Sequence, residues 1–325
     1  MSWWWLLFAG FSLFVQQAAG QPRTIMVFTR TRGFRHSSIP AGLALFRQLA
    51  ATRGDVLVHA AEDASLATQL TATRPDLLVF LSTTGRDLLD STELSALEAF
   101  LVAGGAWFGI HGAADALYSV AFYEELVGSF FASHPPGTAL ARVFKSSAFD
   151  HPVTAGLPDS DFAIVDEWYN FQSLPPPHST TVLLQVDENT YLGGAHGDFH
   201  PIMWSRIVRG ARSVYSAIGH TEEAFSNGCF VSLCAGAIDW LLKREPVAAN
   251  TTCVSATNVT TKQTTASLPC CTTRAFPPQN QRIKVTIGYA VGFTLGALVC
   301  FLLICIAVTL RRRARKQKEL ETNNV

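Results

Sequence analysis

Gly104-Gly105-Ala106-Trp107-Phe108-Gly109-Ile110-His111-Gly112-Ala113-Ala114-Asp115 ("GGAWFGIHGAAD") runs from a helix-stopping glycine pair, through an apolar stretch, to a histidine between Ile110 and Gly112. A short, continuously apolar run of this kind reads as a strand covered on both faces, as in a parallel sheet. In such sheets ligands collect beyond the carboxyl ends of the strands, and His111 stands at that position. In many α/β enzymes this turn carries a nucleophilic Ser or Cys. An imidazole there serves instead as base, acid, ligand or oxyanion donor.

The flanking sequence repeats the pattern. "TIMVFT" (24–29), "DVLVHA" (55–60) and "DLLVFLS" (76–82) read as strands. They alternate with "AGLALFRQLAATRG", an amphipathic helix closed by Gly54, the short "ASLATQL", and "ELSALEAFLVA". Asp90-Ser91-Thr92-Glu93 forms a capping box at the start of the last of these. Alternating strands and helices imply a mostly parallel sheet covered on both faces. Three strand-end loops should then meet in one crevice: "TRTRGFRH", "STTGRD" and "HGAAD". The second half is less regular. "TALARVF", "TVLLQVDE", "PIMWSRIV" and "RSVYSAIG" read as strands, "DEWYNF" and "YLGGAHGDFHP" as loops, and "AFSNGCFVSLCAGAIDWLLKR" as a closing helix.

The 325-residue chain carries 25 basic and 25 acidic side chains, so no charge excess points to nucleic acid. Residues 1–20, with three adjacent Trp and an apolar run ending in small residues, read as a signal peptide cut near Gly20. The apolar stretch of residues 285–310, from Val285 through Leu310, is long enough to span a bilayer and holds no charge. The basic tail that follows, residues 311–325, places the C-terminus in the cytoplasm. The expected product is a single-pass type I protein of the plasma membrane or another secretory-pathway membrane, its domain at residues 23–244 outside the cytosol. Residues 245–284 form a Thr/Ser-rich stalk with glycosylation acceptors at Asn250 and Asn258. Cys253, Cys270 and Cys271 lie in that stalk, where a disulfide is expected. Cys229 and Cys234 read as small buried hydrophobes. Gly288, Gly292 and Gly296 recur at four-residue spacing and suit homodimerisation, although glycine is common in membrane helices anyway.

Seven motifs, in order across nearly all of residues 23–244, resemble the ThuA-like (trehalose utilisation) family: "VFTRTRGFRHSSIP", "FLSTTG", "GGAWFGIHGAAD", "LVGSFFASHP", "DEWYNF", "HPIMW" and "SAIGH". That family is a branch of the class I glutamine amidotransferase-like fold. The resemblance implies a flavodoxin-like three-layer α/β/α domain and a role in carbohydrate metabolism. Glutamine amidotransferases carry a nucleophilic Cys at the turn where His111 stands. With no Cys before Cys229 and no G-x-S-x-G, neither amidotransferase nor serine-hydrolase chemistry is expected.

The candidate catalytic residues are His111, Asp115, His36, Asp166 and Glu167. His111 would act as base or ligand, and Asp115, four residues on, would orient it from the same helical face. Asp166 or Glu167 would supply an acid or another ligand. Trp168 or Tyr169 would stack on a sugar ring, and His134, His200 and His220 would bind the substrate. His36, His111 and His134 would hold a divalent metal such as zinc, if one is used; the spacing itself is no metal motif. The plainer readings are backbone-bonded loop histidines at His134 and His200, a helix cap at His220, and carboxylates accepting backbone N–H groups at Asp166 and Glu167. His59, His151, His178 and His196 read as solvent-facing. Of Arg30, Arg32 and Arg35, two read as surface charge and one as a contact for a polar ligand.

The expected function is a carbohydrate- or glycoside-directed protein, a hydrolase or lyase if it is an enzyme. The alternatives are a non-catalytic carbohydrate-binding receptor or adhesion ectodomain, and a purely structural dimer.

Overall fold

The computed structural model describes residues 21–146 and 150–244. The first half alternates as the sequence implies: β1 (Thr24–Phe28), α1 (Ile39–Arg53), β2 (Val56–His59), α2 (Leu66–Thr73), β3 (Leu77–Leu81), α3 (Ser91–Val102) and β4 (Ala106–Ile110). Gly54 ends α1 in the left-handed region, φ 72°, its N–H reaching the carbonyls of Ala50 and Ala51. The capping box of α3 is complete: Glu93 N–H donates to Asp90 Oδ1 at 2.8 Å, and Asp90 N–H to Glu93 Oε2 at 3.1 Å.

The second half adds α4 (Ala121–Val127), β5 (Phe131–Ser133), β6 (Ala139–Lys145), β7 (Phe162–Asp166), β8 (Asn170–Phe171), β9 (Thr180–Val186), β10 (Pro201–Val208), β11 (Ala211–Ser216) and α5 (Gly228–Leu241). Nine strands form one sheet in the order β2-β1-β3-β4-β11-β10-β9-β6-β7, and β5 pairs with β8 in a small second sheet. Pairings from β2 to β11 are parallel and those from β11 to β7 antiparallel. Only β10 and β6 therefore run against the rest, and this is a mixed α/β fold on a large, mostly parallel sheet. Strands β5, β7 and β8 are additions to the sequence reading, and the closing helix begins at Gly228 rather than near Ala224.

Adjacent side chains of a strand face opposite sides, and β4 shows what covers each. Phe108 meets Phe46 of α1, ring centroids 5.9 Å apart, while Trp107 meets Tyr123 of α4 at 6.0 Å. Helices thus lie on both faces of the sheet. Arg53 of α1 pairs with Asp239 of α5 at 2.7 Å, tying those two helices together. The fully buried rows of β3 and β4 sit between these layers.

A flat sheet would set β7 about 19 Å from β11, four strand spacings away. The sheet is not flat: its register shifts between β9 and β10. Asp166 at the end of β7 accepts the Gly219 N–H at 3.0 Å. This closure brings a loop from the far edge of the sheet over the ends of β1, β3 and β4.

No helix among the described residues is long and apolar enough to cross a membrane. Residues 1–20, Asn250, Asn258, the stalk cysteines, Gly288, Gly292, Gly296 and the run from Val285 through Leu310 lie outside the described residues. Cys229 is buried as expected but is disulfide-bonded, which the sequence reading did not include. Cys234 is free and buried, and burial pushes its thiol well up.

Candidate functional site

His111 follows β4 directly and adopts φ 46°, a left-handed conformation that costs a non-glycine residue about 1–3 kcal/mol. The surroundings hold it there. Tyr215 O–H donates to the His111 carbonyl at 2.9 Å, and His111 Nδ1 lies 2.7 Å from the Ala217 carbonyl oxygen. A carbonyl only accepts, so Nδ1 carries the proton and Nε2 presents its lone pair to the crevice. The Tyr169 ring lies 4.2 Å from the imidazole.

His36 arrives on the loop after β1. Thr84 Oγ1 donates to the Phe34 carbonyl at 2.7 Å, and Ser38 Oγ donates to the Gly219 carbonyl at 2.9 Å. The loop is thereby fastened to the ends of β3 and β11. Its imidazole stands edge-on to His111 at 4.7 Å and to His220 at 5.2 Å. Gly112 lets it approach, since a Cβ there would lie 3.2 Å from His36 Cε1 and 3.0 Å from Thr84 Cγ2.

The paired carboxylates divide their roles. Asp166 is fully buried and accepts the backbone N–H groups of Glu167, Gly219 and His220. Glu167 turns toward the histidines. Its Oε1 lies 3.0 Å from His134 Nδ1, and its Oε2 lies 3.2 Å from His220 Nδ1 and 3.5 Å from His111 Nε2. His220 Nδ1 is in turn 3.3 Å from His111 Nε2.

The cluster polarises its members. Burial pushes His36 down to about 3, reinforced by the neighbouring His111 and His220, so its imidazole is neutral. Burial works to raise the Glu167 carboxyl, but the adjacent His111 and His220 imidazoles outweigh it and hold it well below the usual carboxylate range. His220 is raised by its hydrogen bond to Glu167. Burial raises both Asp115 and Asp166. One donor atom each from His36, His111, Glu167 and His220 lies within 4.8 Å of the others, a grouping able to hold a metal ion.

The structure thus brings together His36, His111, Glu167 and His220, with Tyr169 beside them. His134 touches the cluster only from outside, through Glu167, so the expected trio of His36, His111 and His134 is regrouped. Asp115 does not orient His111. Its Oδ1 takes the Tyr118 hydroxyl at 2.6 Å, because His111–Ala114 is a 3-10 turn and a residue four positions on faces elsewhere. Trp168 is buried, its indole N–H bonded to the Ala139 carbonyl at 2.9 Å, and Tyr169 is buried too, its ring against His111 and Phe131, so neither is an exposed platform. His200 is also buried, with Nδ1 near Glu188 and Tyr191 and Nε2 2.9 Å from the Tyr169 carbonyl, so it positions Tyr169 from behind.

Other expectations change too. His196 accepts the Phe171 N–H at 2.9 Å and His151 packs against Trp240, so neither is solvent-facing. Arg30 forms a buried pair with Glu93, and Arg35 pairs with Glu62. Sequence reasoning missed Ser82, which follows β3 at φ 49° with a buried hydroxyl that has no hydrogen-bond partner. Its place directly after an apolar strand, in "FLSTTG", was the available signal. It also missed Phe34, 64 % exposed and 4.8 Å from the His36 ring.

An α/β sheet whose strand-end turn carries a histidine cluster is consistent with a glutamine amidotransferase-like fold that has no thiol at that turn. The ThuA family, described as trehalose utilisation, matches residues 24–241, and the chain belongs to that family. A ThuA-like protein of Bacteroides uniformis is similar at 20 % identity and TM-score 0.56, over 68 % of this chain and 93 % of that one. One from Parabacteroides merdae is similar at 17 % identity and TM-score 0.52, over 68 % and 90 %. At these identities the likeness speaks for the fold. No curated protein matches the chain.

Proposed function

We propose that the crevice over β1, β3, β4 and β11 takes a carbohydrate or glycoside and carries out proton-transfer chemistry on it, as a hydrolase or lyase. The observation that carries this reading is the joining of a neutral imidazole, His36, to an ionised carboxylate, Glu167, at the ligand-binding edge of a trehalose-utilisation domain. Both accept hydrogen bonds from sugar hydroxyls, and imidazoles beside an ionised carboxylate can take and return a proton. Phe34, 64 % exposed, supplies an apolar face for the C–H side of a sugar ring, in place of the buried Trp168 and Tyr169. The domain is displayed outside the cytosol on a single-pass type I anchor, from Val285 through Leu310, and carries glycans at Asn250 and Asn258. The signal-like start and the basic tail support that topology.

Incubation of the full-length chain with a panel of disaccharides and aryl glycosides should give turnover that Glu167→Gln lowers by about 10²–10⁴-fold. Neither binding nor turnover of any member would overturn the reading. Protease treatment of sealed microsomes should digest only the short basic tail; a protected tail reverses the topology.

A further inference from the structure

We propose that His111 Nε2, His220 Nδ1 and Glu167 Oε2 form the three-donor face of a site for a divalent first-row transition metal, zinc in preference to magnesium or calcium, with His36 standing across a fourth, open coordination position. The site shares the crevice with the carbohydrate reading but not its premises, since metal binding is read with no sugar present.

The geometry comes first. The three atoms are 3.3, 3.2 and 3.5 Å apart, a nearly equilateral triangle. A tetrahedral zinc centre with bonds of about 2.0–2.1 Å has donor–donor edges of about 3.3–3.4 Å. Two imidazole nitrogens and a carboxylate oxygen are thus spaced as one face of such a tetrahedron. Two nitrogens turned toward each other at 3.3 Å require a proton or a cation between them.

The surroundings of each donor fit the same reading. Histidines that bind metals donate their other ring N–H to a carbonyl or carboxylate, which fixes the tautomer and aims the lone pair. His111 does so through Nδ1 to the Ala217 carbonyl at 2.7 Å. Glu167 turns one oxygen to the triangle and the other to His134 at 3.0 Å, so the carboxylate is fixed in orientation. His220 is set by its own backbone N–H, which Asp166 accepts at 3.0 Å. All three donors are therefore held before any ion arrives.

His36 is the independent observation. It offers a nitrogen within 4.8 Å of the three donors but is hydrogen-bonded to none of them, and its Nδ1 is buried without a partner. Buried polar atoms are paired in nearly all native structures, so an unpaired nitrogen on a histidine that flanks a ready donor triangle fits a missing occupant there. A water or hydroxyl on the open position of the metal supplies one. Two histidines and one glutamate with an open position is a donor set of catalytic zinc, and imidazole nitrogen disfavours magnesium and calcium, which prefer all-oxygen sites.

The test uses the full-length chain, stripped with a chelator and titrated with Zn²⁺ against a chromophoric competitor, with Co²⁺ as the optical probe. One zinc per chain is expected, with no competition from millimolar Mg²⁺ or Ca²⁺. His220→Ala and Glu167→Ala should each weaken binding by more than about a hundredfold, and His134→Ala by about ten- to a hundredfold with stoichiometry kept. His36→Asn should bind zinc within about fivefold of wild type but shift the Co²⁺ visible bands, since it faces only the open position. His151→Asn, remote from the site, should change nothing. If His220→Ala or Glu167→Ala melts in the stripped state, His134→Ala and His36→Asn decide the matter. Fewer than about one zinc per ten chains at saturating metal overturns the proposal. So does wild-type affinity in the folded ligand variants, or a His36→Asn loss as large as that of His220→Ala. A chain that binds zinc but no sugar overturns the carbohydrate role alone, and one that binds sugar but no zinc overturns the metal site alone.

Discussion

Asp166 Oδ1 accepts the backbone N–H of His220 at 3.0 Å, while the carboxylate of the next residue meets the same histidine's ring at 3.2 Å. Two adjacent carboxylates thus hold one residue by its backbone and by its side chain. Asp166 builds the loop, and Glu167 faces what the loop encloses.

Substitution should separate these two roles. Asp166→Asn sets an amide N–H against a backbone donor that a carboxylate oxygen now satisfies, at a cost of about 1–3 kcal/mol. For a domain of this size that lowers the melting temperature by roughly 2–10 °C. Glu167→Gln should leave a folded domain by circular dichroism and reduce turnover by about a hundredfold or more. An unchanged melting temperature for Asp166→Asn would sink its role as a backbone clamp.

Gly219 sits at φ 138°, and a Cβ there would come within 2.7 Å of Ile110 Cγ2. Gly54 also has positive φ, 72°, but a Cβ there meets nothing within 4 Å. Gly54→Ala should therefore cost about 1–2 kcal/mol from backbone conformation alone. Gly219→Ala adds a clash inside the packed strand end, for a total of about 2–5 kcal/mol. Denaturant midpoints of the two variants measure the difference, and equal midpoints would show that Ile110 gives way freely.

The parallel half of the sheet was legible because its signals are local. Continuous apolar runs, Gly54 and the Asp90/Glu93 box each lie within a few residues of what they specify. Strand β7 was not. "FAIVD" is short, follows Asp159-Ser160-Asp161 and leaves Val165 exposed, as a strand at the end of a sheet does. His36 and His111 followed from the strand-end rule. The choice of Glu167 over Asp166 did not, because adjacent side chains point oppositely and only the closure of the sheet decides which one enters the crevice. Asp115 was misplaced by a helical spacing argument applied to a 3-10 turn.

His151 offers a pH test away from the site. Its Nδ1 accepts the Val153 N–H at 3.2 Å, its Nε2 lies 3.3 Å from Ser205 Oγ, and Trp240 packs 5.0 Å away. Protonating Nδ1 would turn a donor against a donor. Burial pushes the imidazole from 6.5 down to about 4, with Arg212 adding to the shift. The unfolded chain therefore binds a proton below about pH 6.5 that the folded one refuses until about pH 4. Stability from this residue is complete above pH 6.5 and falls as pH drops through that window, by up to about 3 kcal/mol. His151→Asn can still accept the Val153 N–H and does not titrate. Its unfolding free energy should lose less between pH 7 and 4.5 than that of wild type, and parallel pH profiles would refute the assignment.

Arg30 and Glu93 close the account of the arginines after β1. Arg30 Nη1 lies 3.0 and 3.1 Å from the two oxygens of Glu93, with both side chains buried. Glu93 also receives the N–H groups of Leu66 and Asp90, so one carboxylate joins β1, the start of α2 and the cap of α3. The Arg30 guanidinium further donates to the carbonyls of Glu62, Ala64 and Leu88. Removing one member strands a buried charge, which typically costs about 3–5 kcal/mol. Arg30→Met should therefore destabilise the domain by about that amount. Glu93→Gln should cost less, because its amide oxygen still accepts from a backbone N–H. In the double variant Arg30→Met/Glu93→Gln the loss should be smaller than the sum of the two, by about 1–3 kcal/mol. Urea unfolding of the four proteins closes the cycle, and strict additivity would mean that the pair acts only through its separate backbone contacts.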